Sequence, residues 1–180
     1  MGTDSERTHN FGSLDVEYAK SIDISYKYGN GGDYVVVLHH ALKGENPNLI
    51  LKVLEEEWGR KIHIIKSNSD EGIQFGTEEY TPEEYIDLIA SAKLLVGNSS
   101  SFLKEASIFG TPVVMIGDRQ KNRLRTKNVL DCNFDEKEMR QAIRKQLKAD
   151  FKPDNTYFKE NTALNIANVI KSYCATSCQS

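Results

Sequence analysis

The chain has 180 residues, 39% of them hydrophobic and 27% charged, which is typical of a globular chain with one domain or at most two small ones. Its 23 basic and 26 acidic residues give a net charge of −3, and the lack of a long basic run argues against nucleic-acid binding through a basic surface. The longest purely apolar run, at residues 35–38, is far shorter than the roughly 20 residues of a membrane span.

Short β-branched runs alternate with longer segments of helical periodicity along the chain, which indicates βαβ units around a parallel sheet. Five strands are predicted, at residues 34–38, 61–65, 93–96, 112–116 and, weakly, 128–131. Helices are predicted at residues 48–58, after the N-cap Thr81, and at residues 101–109, 135–147 and 161–173. The apolar strands suit a sheet covered on both faces, so we expect a doubly wound, Rossmann-like α/β fold.

The ends of the chain and its first glycine cluster are predicted to be peripheral. Residues 1–7 are expected to form a disordered tail, residues 8–173 a single domain, and residues 174–180 a C-terminal tail. The glycines at residues 29–32 precede the first strong strand, so they predict a turn and not a dinucleotide-binding loop.

Cysteine usage and the N-terminal sequence indicate a reducing compartment. Three cysteines form no repeating framework, and Cys174 and Cys178 have no neighbouring histidine or second cysteine pair, so we expect no metal site. The first ten residues lack the apolar segment of a signal peptide. A cytoplasmic protein without a membrane segment is therefore predicted.

Ligands of open α/β sheets bind beyond the carboxyl ends of the strands, so the residues that follow each strand are the candidates for a site. Four such segments are unusual: His39-His40, residues 68–72, residues 97–101 and residues 117–120 with Arg123. Among them, the serine run joins a strand to a helix, where backbone N–H groups and hydroxyls can bind an anion such as a phosphate. Ser99 or Ser100 capping the helix is an equally good interpretation.

The other candidates each have a plain structural alternative. Glu105 lies one helical turn after Ser101, where its carboxylate could accept hydrogen bonds from ribose hydroxyls, although exposed helix glutamates are usually solvated. Arg119 and Arg123 could add positive charge or lie on the surface. His39 could reach a ligand or simply cap the sheet, and His40 is expected to point elsewhere.

The stretch LLVGNSSSFLKEASIFGTPVVMIGDRQKNR resembles the hydrolysing UDP-N-acetylglucosamine 2-epimerases and their diacetylbacillosamine-specific relatives. That family has a Gly-Asn-Ser-Ser segment, a helix with a glutamate, Gly-Thr-Pro, an apolar strand and a Gly-x-Arg-Gln-x-x-Arg loop. Residues 11–14 are similar to its interdomain segment, VVLHH to a strand that ends in a functional histidine, and residues 68–72 to its post-strand loop. The resemblance spans about residues 8–172 and implies the C-terminal, nucleotide-binding half of a GT-B fold.

The resemblance also implies roles for individual residues. Ser99, Ser100 and Ser101 correspond to diphosphate contacts, Glu105 to the ribose contact and His39 to the active-site histidine. Tyr85 corresponds to the aromatic residue near the uracil, and its helical spacing suits core packing equally well. The remaining substrate-binding residues predicted in this way are Arg119, Arg123 and Asp70.

The reaction implied by the resemblance removes the sugar C2 proton, expels UDP to give a glycal and adds water to release the free 2-epimer. The family's proton-abstracting acids belong to an N-terminal domain, so this chain is expected to bind UDP-N-acetylglucosamine or a related UDP-acetamido sugar without further cofactors. It would act with an N-terminal domain partner or as a homo-oligomer. Alternatives are a non-catalytic nucleotide-sugar-binding module and half of a GT-B glycosyltransferase.

Overall fold

Five parallel strands form the central sheet of the protein, in a computed structural model that describes residues 10–29 and 32–177. The strands in chain order are β1 (Tyr34–Leu38), β2 (Lys61–Ile64), β3 (Ser67–Asn68), β4 (Gln74–Phe75), β5 (Leu94–Gly97), β6 (Val113–Ile116) and β7 (Val129–Cys132). The sheet has the order β2-β1-β5-β6-β7, and β3 pairs with β4 in a small antiparallel hairpin. All four neighbouring pairs of the large sheet are parallel, as the apolar strands predict.

Six α-helices and one 3₁₀ helix accompany the strands in the described part of the chain. The α-helices are α1 (Leu14–Ser21), α2 (Asn48–Glu57), α3 (Pro82–Ser91), α4 (Ser100–Lys104), α5 (Glu136–Gln146) and α6 (Thr162–Ser177), and the 3₁₀ helix Glu105–Phe109 directly continues α4. The start of α3 shows how local sequence sets these bounds. Thr81 Oγ1 accepts a hydrogen bond from the Glu84 N–H, the Glu84 carboxylate accepts one from the Thr81 N–H, and Pro82 occupies the first turn.

Alternate residues of β1 divide the core into two layers. Val36 packs with buried residues of α1, α3 and the α4 segment, whereas Val35 and Val37 pack with buried residues of α2 and α5. Because successive side chains of a strand point to opposite faces, this division places helices on both sides of the sheet. The predicted doubly wound α/β fold is confirmed.

Several elements differ from the predictions, including the hairpin of β3 and β4, which was not expected. Helix α1 was not expected, because only Val16 and Ala19 of its eight residues are buried and the apolar pattern is correspondingly weak. The predicted helix at residues 101–109 is divided into α4 and the 3₁₀ helix. Residues 174–177 continue α6, where a tail was predicted. Three predicted segments lie wholly or partly outside the described ranges: the N-terminal tail at residues 1–7, the end of the C-terminal tail at residues 178–180, and two residues of the turn at 29–32. Within those ranges, no helix combines the length and apolarity that crossing a membrane requires.

Candidate functional site

The order of the strands places a crevice between the carboxyl ends of β1 and β5. The chain leaves β1 towards β2 on one side and leaves β5 towards β6 on the other, so the sheet changes direction between them. Such a switch point is where open α/β sheets bind ligands. A cavity of about 200 Å³ lies there, and it is lined by Leu38, His40, Ser67, Asn98, Ser99, Ser100, Arg119 and Gln120.

Gly97 allows the two central strands to meet at this point. It ends β5 with a φ of +147°, and a Cβ atom on it would lie 2.0 Å from the Leu38 carbonyl oxygen. The following N–H, that of Asn98, donates to the same carbonyl at 3.2 Å. A glycine is therefore required for the close backbone approach beneath the cavity.

Asn98 ties the two loops of the crevice together. Its Oδ1 accepts from the His40 N–H and its Nδ2 donates to the His40 carbonyl, both at 2.8 Å. Gln120 Nε2 donates to the Asn98 carbonyl at 2.9 Å, which adds the loop after β6 to the same network. Since Asn98 is 2% exposed, these bonds are shielded from water and hold the loops in one arrangement.

The serine run forms a hydroxyl cluster at the start of α4. Ser99 is the N-cap, and its Oγ accepts from the Ser101 N–H at 3.4 Å, as the capping interpretation predicts. The hydroxyls of Ser99 and Ser101 are 2.8 Å apart, and the Tyr85 hydroxyl is hydrogen-bonded to that of Ser101. Ser99 and Ser100 also line the cavity, so the residue that caps α4 borders open space.

Glu105 lies in a second cavity, of about 350 Å³, that also borders Tyr85. The lining residues are Leu14, Asp15, Tyr18, Pro82, Tyr85, Ile86 and Glu105. Glu105 is 8% exposed, and its Oε2 has no hydrogen-bond partner within the described parts of the chain. Burial raises the pKa of this carboxyl, with nearby Lys104 acting in the opposite direction. The alternative interpretation of Glu105 as a solvated helix glutamate does not hold, because α1 and α3 cover this position.

Tyr85 lines the larger cavity and is connected to the smaller one through hydrogen bonds. Its hydroxyl is bonded to that of Ser101, which is bonded to that of Ser99, a residue that lines the smaller cavity. Burial raises the pKa of this phenol, so it remains a neutral hydroxyl. Tyr85 thus combines partial core packing with a place in the lining of the larger cavity.

His39 is fully buried beneath the crevice. Its Nε2 lies 3.1 Å from Glu45 Oε2, and its ring is 5.6 Å from that of Phe134. Burial lowers the pKa of His39, although the Glu45 carboxylate raises it in part. His39 is absent from the residues that line the 200 Å³ cavity, and its predicted catalytic role stays a prediction.

His40 lines the cavity instead, so the expectation that it points elsewhere is wrong. Its Nε2 lies 2.7 Å from Asp70 Oδ1, and this hydrogen bond lowers the pKa of Asp70. The physical reason is that β1 ends at Leu38, so strand alternation no longer decides where residues 39 and 40 point. The contacts with Asn98 and Asp70 decide it.

The two predicted arginines lie in different surroundings. Arg119 is exposed and lines the 200 Å³ cavity, and its predicted contact with substrate stays a prediction. Arg123 is exposed and does not line it; its carbonyl accepts a hydrogen bond from Arg125, which is paired with Asp131. The predicted substrate contact of Arg123 therefore stays a prediction.

Three polar residues that line the crevice were not among the predicted site residues: Asn98, Gln120 and Ser67. Ser67 Oγ donates to the His39 carbonyl at 2.5 Å, and the other two join the loops around the cavity. Asn98 directly follows a strand, which was a usable signal, whereas the contacts of Gln120 and Ser67 depend on distant loops.

The hydroxyls, imidazole and guanidinium around the cavity suit an anionic ligand. No cluster of three potential metal ligands occurs among residues 10–29 and 32–177.

Comparisons with known proteins agree with this architecture. Residues 28–171 match the family model described as UDP-N-acetylglucosamine 2-epimerase. The chain is 36% identical over 108 residues to the GDP/UDP-N,N'-diacetylbacillosamine 2-epimerase (hydrolyzing) of Campylobacter jejuni, a match that covers 60% of this chain and 25% of the relative. It is 27% identical to the polysialic acid biosynthesis protein P7 of Escherichia coli, over 96% of this chain and 53% of that protein.

Solved structures share the fold at low sequence identity. The Methanocaldococcus jannaschii UDP-GlcNAc 2-epimerase in complex with UDP-GlcNAc and UDP matches with a TM-score of 0.63 and 12% identity, over 95% of this chain and 56% of that chain. The S. aureus MnaA–UDP structure matches with a TM-score of 0.64 and 15% identity, over 97% and 56%. The chain thus spans about half the length of these structures and of the E. coli relative. Since the family model covers most of its residues, the chain belongs to the UDP-N-acetylglucosamine 2-epimerase family.

Proposed function

We propose that this domain binds UDP-N-acetylglucosamine or a related UDP-acetamido sugar and forms the nucleotide side of the active site of a hydrolysing 2-epimerase. The observation that carries the proposal is a pair of cavities connected by the hydrogen-bonded hydroxyls of Tyr85, Ser101 and Ser99. One cavity is lined by serines and Arg119, and the other is lined in part by Glu105, whose buried Oε2 has no hydrogen-bond partner in the described part of the chain. A nucleoside diphosphate needs both environments.

The larger cavity suits the nucleoside. A carboxylate accepts hydrogen bonds from two neighbouring hydroxyls, so Glu105 is suited to the 2′ and 3′ hydroxyls of a ribose. Binding a ribose would also provide the missing partner of Glu105 Oε2 and so reduce the cost of burying that oxygen. The Tyr85 ring lies beside this position, where a flat base can pack against it.

The smaller cavity suits the diphosphate. Ser99 and Ser100 present hydroxyls there, α4 begins at Ser100, and Arg119 supplies positive charge. Negative charge grows on the diphosphate as the bond from the sugar C1 to the phosphate oxygen breaks, so these groups stabilise the departure of UDP. Ser101, Asp70 and Arg123 complete the proposed substrate-binding residues, and His39 is the proposed active-site histidine of the resemblance.

Removal of the C2 proton is assigned in this proposal to acidic residues of an N-terminal domain, supplied by a partner or by a longer chain.

Two relatives support the choice of ligand. One similarly folded epimerase was solved with UDP-GlcNAc and UDP, and another structure contains UDP.

Calorimetry with UDP tests the proposal on the chain as it is. We expect a Kd below about 1 mM for the wild type, and binding weaker by roughly 10- to 150-fold for Glu105→Ala, since a hydrogen bond to a charged group contributes about 1.5–3 kcal/mol. Glu55→Gln, on the exposed side of α2, is the charge-matched control. Absence of UDP binding at millimolar concentration, or equal binding by Glu105→Ala, would contradict the proposal.

A second nucleotide localises the ribose contact. Uridine diphosphate that lacks the 2′-hydroxyl should bind the wild type more weakly than UDP, and the difference should disappear in Glu105→Ala. A difference that persists in the variant would place the ribose elsewhere.

Activity separates the proposed function from its alternatives. With an N-terminal domain of the family added in trans, NMR should detect free N-acetylmannosamine formed from UDP-N-acetylglucosamine. UDP binding without product under these conditions would favour the non-catalytic module, and transfer of the sugar to an acceptor would favour the glycosyltransferase.

A further inference from the structure

The loop that connects β6 to β7, residues 117–128, borders two cavities. Arg119 and Gln120 line the 200 Å³ cavity of the crevice. Four other residues of the loop line a third cavity, of about 350 Å³, beside β7: Gly117, Asp118, Lys121 and Arg125. Because a cavity provides no packing partners, this part of the loop relies on hydrogen bonds for its position.

Arg125 provides most of these bonds with a single guanidinium group. Its Nε donates to both carboxylate oxygens of Asp131 in β7, at 3.0 and 2.9 Å, and its Nη2 lies 2.9 Å from Asp131 Oδ1. Its Nη1 donates to the carbonyls of Gln120 at 2.9 Å and of Arg123 at 2.8 Å. The rigid fork of the guanidinium thus attaches the loop to the edge strand of the sheet.

Gln120 connects this attachment to the crevice. Its carbonyl accepts from Arg125, while its side-chain Nε2 donates to the Asn98 carbonyl at 2.9 Å. The residue before it is Arg119, whose side chain is exposed, so the place of that guanidinium depends on the backbone that carries it. A shift of the backbone at Gln120 would therefore displace Arg119 as well.

We propose that Arg125, paired with Asp131, is a positioning residue that holds this loop so that Arg119 faces the diphosphate of the bound nucleotide. The inference rests on the proposed function, in which Arg119 supplies positive charge to the diphosphate. Arg125 itself lines the third cavity and not the 200 Å³ one, so it acts through Arg119. Without Arg125, the third cavity gives the loop room to move. A displacement of about 1 Å is enough to break a charge-assisted hydrogen bond of normal length.

Calorimetry with two probes tests the assignment, because UDP carries the diphosphate and uridine does not. Arg125→Ala should weaken UDP binding by roughly three- to tenfold, in the range of residues coupled through a backbone shift, and leave uridine binding unchanged. Asp131→Asn should act in the same direction and less strongly. Arg60→Ala is the matched control for loss of an arginine, since Arg60 is exposed at the amino end of the sheet, before β2. It should change the binding of neither probe.

A double-mutant cycle supplies a readout that a merely structural role would not move. Arg119→Ala should weaken UDP binding by roughly tenfold, the loss of one charge-assisted contact. In that background Arg125→Ala should have little further effect, because the group that it positions is gone. Arg125→Lys should restore only part of the affinity in the Arg119 background, because an ammonium group lacks the fork that reaches Asp131 and both carbonyls. Should Arg125→Ala fail to fold, Asp131→Asn completes the same cycle.

The outcomes separate the two proposals. If Arg119→Ala weakens UDP binding while Arg125→Ala binds like the wild type, the positioning role is wrong and the proposed function stands. Equal weakening of UDP and uridine by Arg125→Ala, or a full additional loss in the Arg119→Ala background, would indicate a general structural role and also overturn the assignment. If the wild type binds no UDP, both proposals fail.

Discussion

The side-chain amide of Asn98 forms two hydrogen bonds with the backbone of His40, one to its N–H and one to its carbonyl, each 2.8 Å long. These two bonds extend the hydrogen bonding between β1 and β5 beyond the ends of both strands, with a side chain in place of the backbone of β5. It fixes the separation of the two loops that border the 200 Å³ cavity. The geometry of the site therefore depends on one buried amide.

Asn98→Ala should lower the free energy of unfolding by about 2–4 kcal/mol, because it removes two buried hydrogen bonds and leaves two backbone groups without partners. It should also weaken UDP binding, since the loops lose their fixed separation. Urea unfolding measures the first effect and calorimetry the second. Asn122→Ala, on an exposed loop, should change stability by less than about 0.5 kcal/mol. Unfolding midpoints that coincide for Asn98→Ala and Asn122→Ala would refute the proposed structural role.

Gly97→Ala should destabilise the protein severely, because the added Cβ would lie 2.0 Å from the Leu38 carbonyl oxygen and the backbone has a φ of +147°. We expect a loss of more than about 4 kcal/mol or insoluble protein. Gly72→Ala is the matched control: it has a φ of +76° and open space around the added Cβ, so only the backbone strain of about 1–2 kcal/mol remains. Thermal melting of both variants checks the prediction, and similar losses for the two would contradict it.

The sequence was sufficient for the features that depend on local pattern. The five main strands follow from apolar runs, and the start of α3 from Thr81, Pro82 and Glu84. The segments after the strands also marked the region of the site, because the carboxyl ends of parallel strands meet at one edge. Ser99, Ser100 and Arg119 were selected as candidates in this way, and all three line the 200 Å³ cavity.

Features that depend on distant contacts could not be predicted. His39 and His40 are neighbours beyond the end of β1, and their orientations are set by Glu45 on one side and by Asn98 and Asp70 on the other. The burial of Glu105 requires α1, whose weak apolar pattern gave no signal. In both cases the deciding partners are separated in sequence from the residues they control, or belong to an element that local periodicity does not reveal.

Glu57→Gln should lower stability at neutral pH. The Glu57 carboxylate accepts hydrogen bonds from Arg140 and Arg144 of α5, which joins α2 to α5, and these arginines lower its pKa. Because the pKa of Glu57 is lower in the folded than in the unfolded state, the carboxylate stabilises the fold at pH values above its unfolded-state pKa of about 4.3. This stabilisation is lost as the pH falls through the folded-state pKa. We expect a loss of up to about 1 kcal/mol near neutral pH, smaller at high salt. An effect of Glu57→Gln that is independent of pH and salt would exclude this electrostatic origin.

Glu105→Gln should have the opposite effect on stability. Burial raises the pKa of Glu105, so the folded state binds a proton that the unfolded state has already released, and stability falls as the pH rises from the unfolded value towards the folded one. Glutamine removes this cost. The variant should therefore melt at a higher temperature than the wild type near neutral pH, and the difference should shrink below about pH 4, where both forms are neutral.

The same variant connects stability with binding. Residues that serve binding often reduce the stability of the free protein, and the buried carboxylate of Glu105 lacks a hydrogen-bond partner that a ligand could supply. Glu105→Gln should therefore be more stable than the wild type and bind UDP more weakly. Thermal melts at several pH values, with and without UDP, measure both quantities, and Glu55→Gln should alter neither. A Glu105→Gln variant that is less stable than the wild type near neutral pH would show that the carboxylate has a stabilising partner, and the ribose contact proposed for it would lose its physical basis.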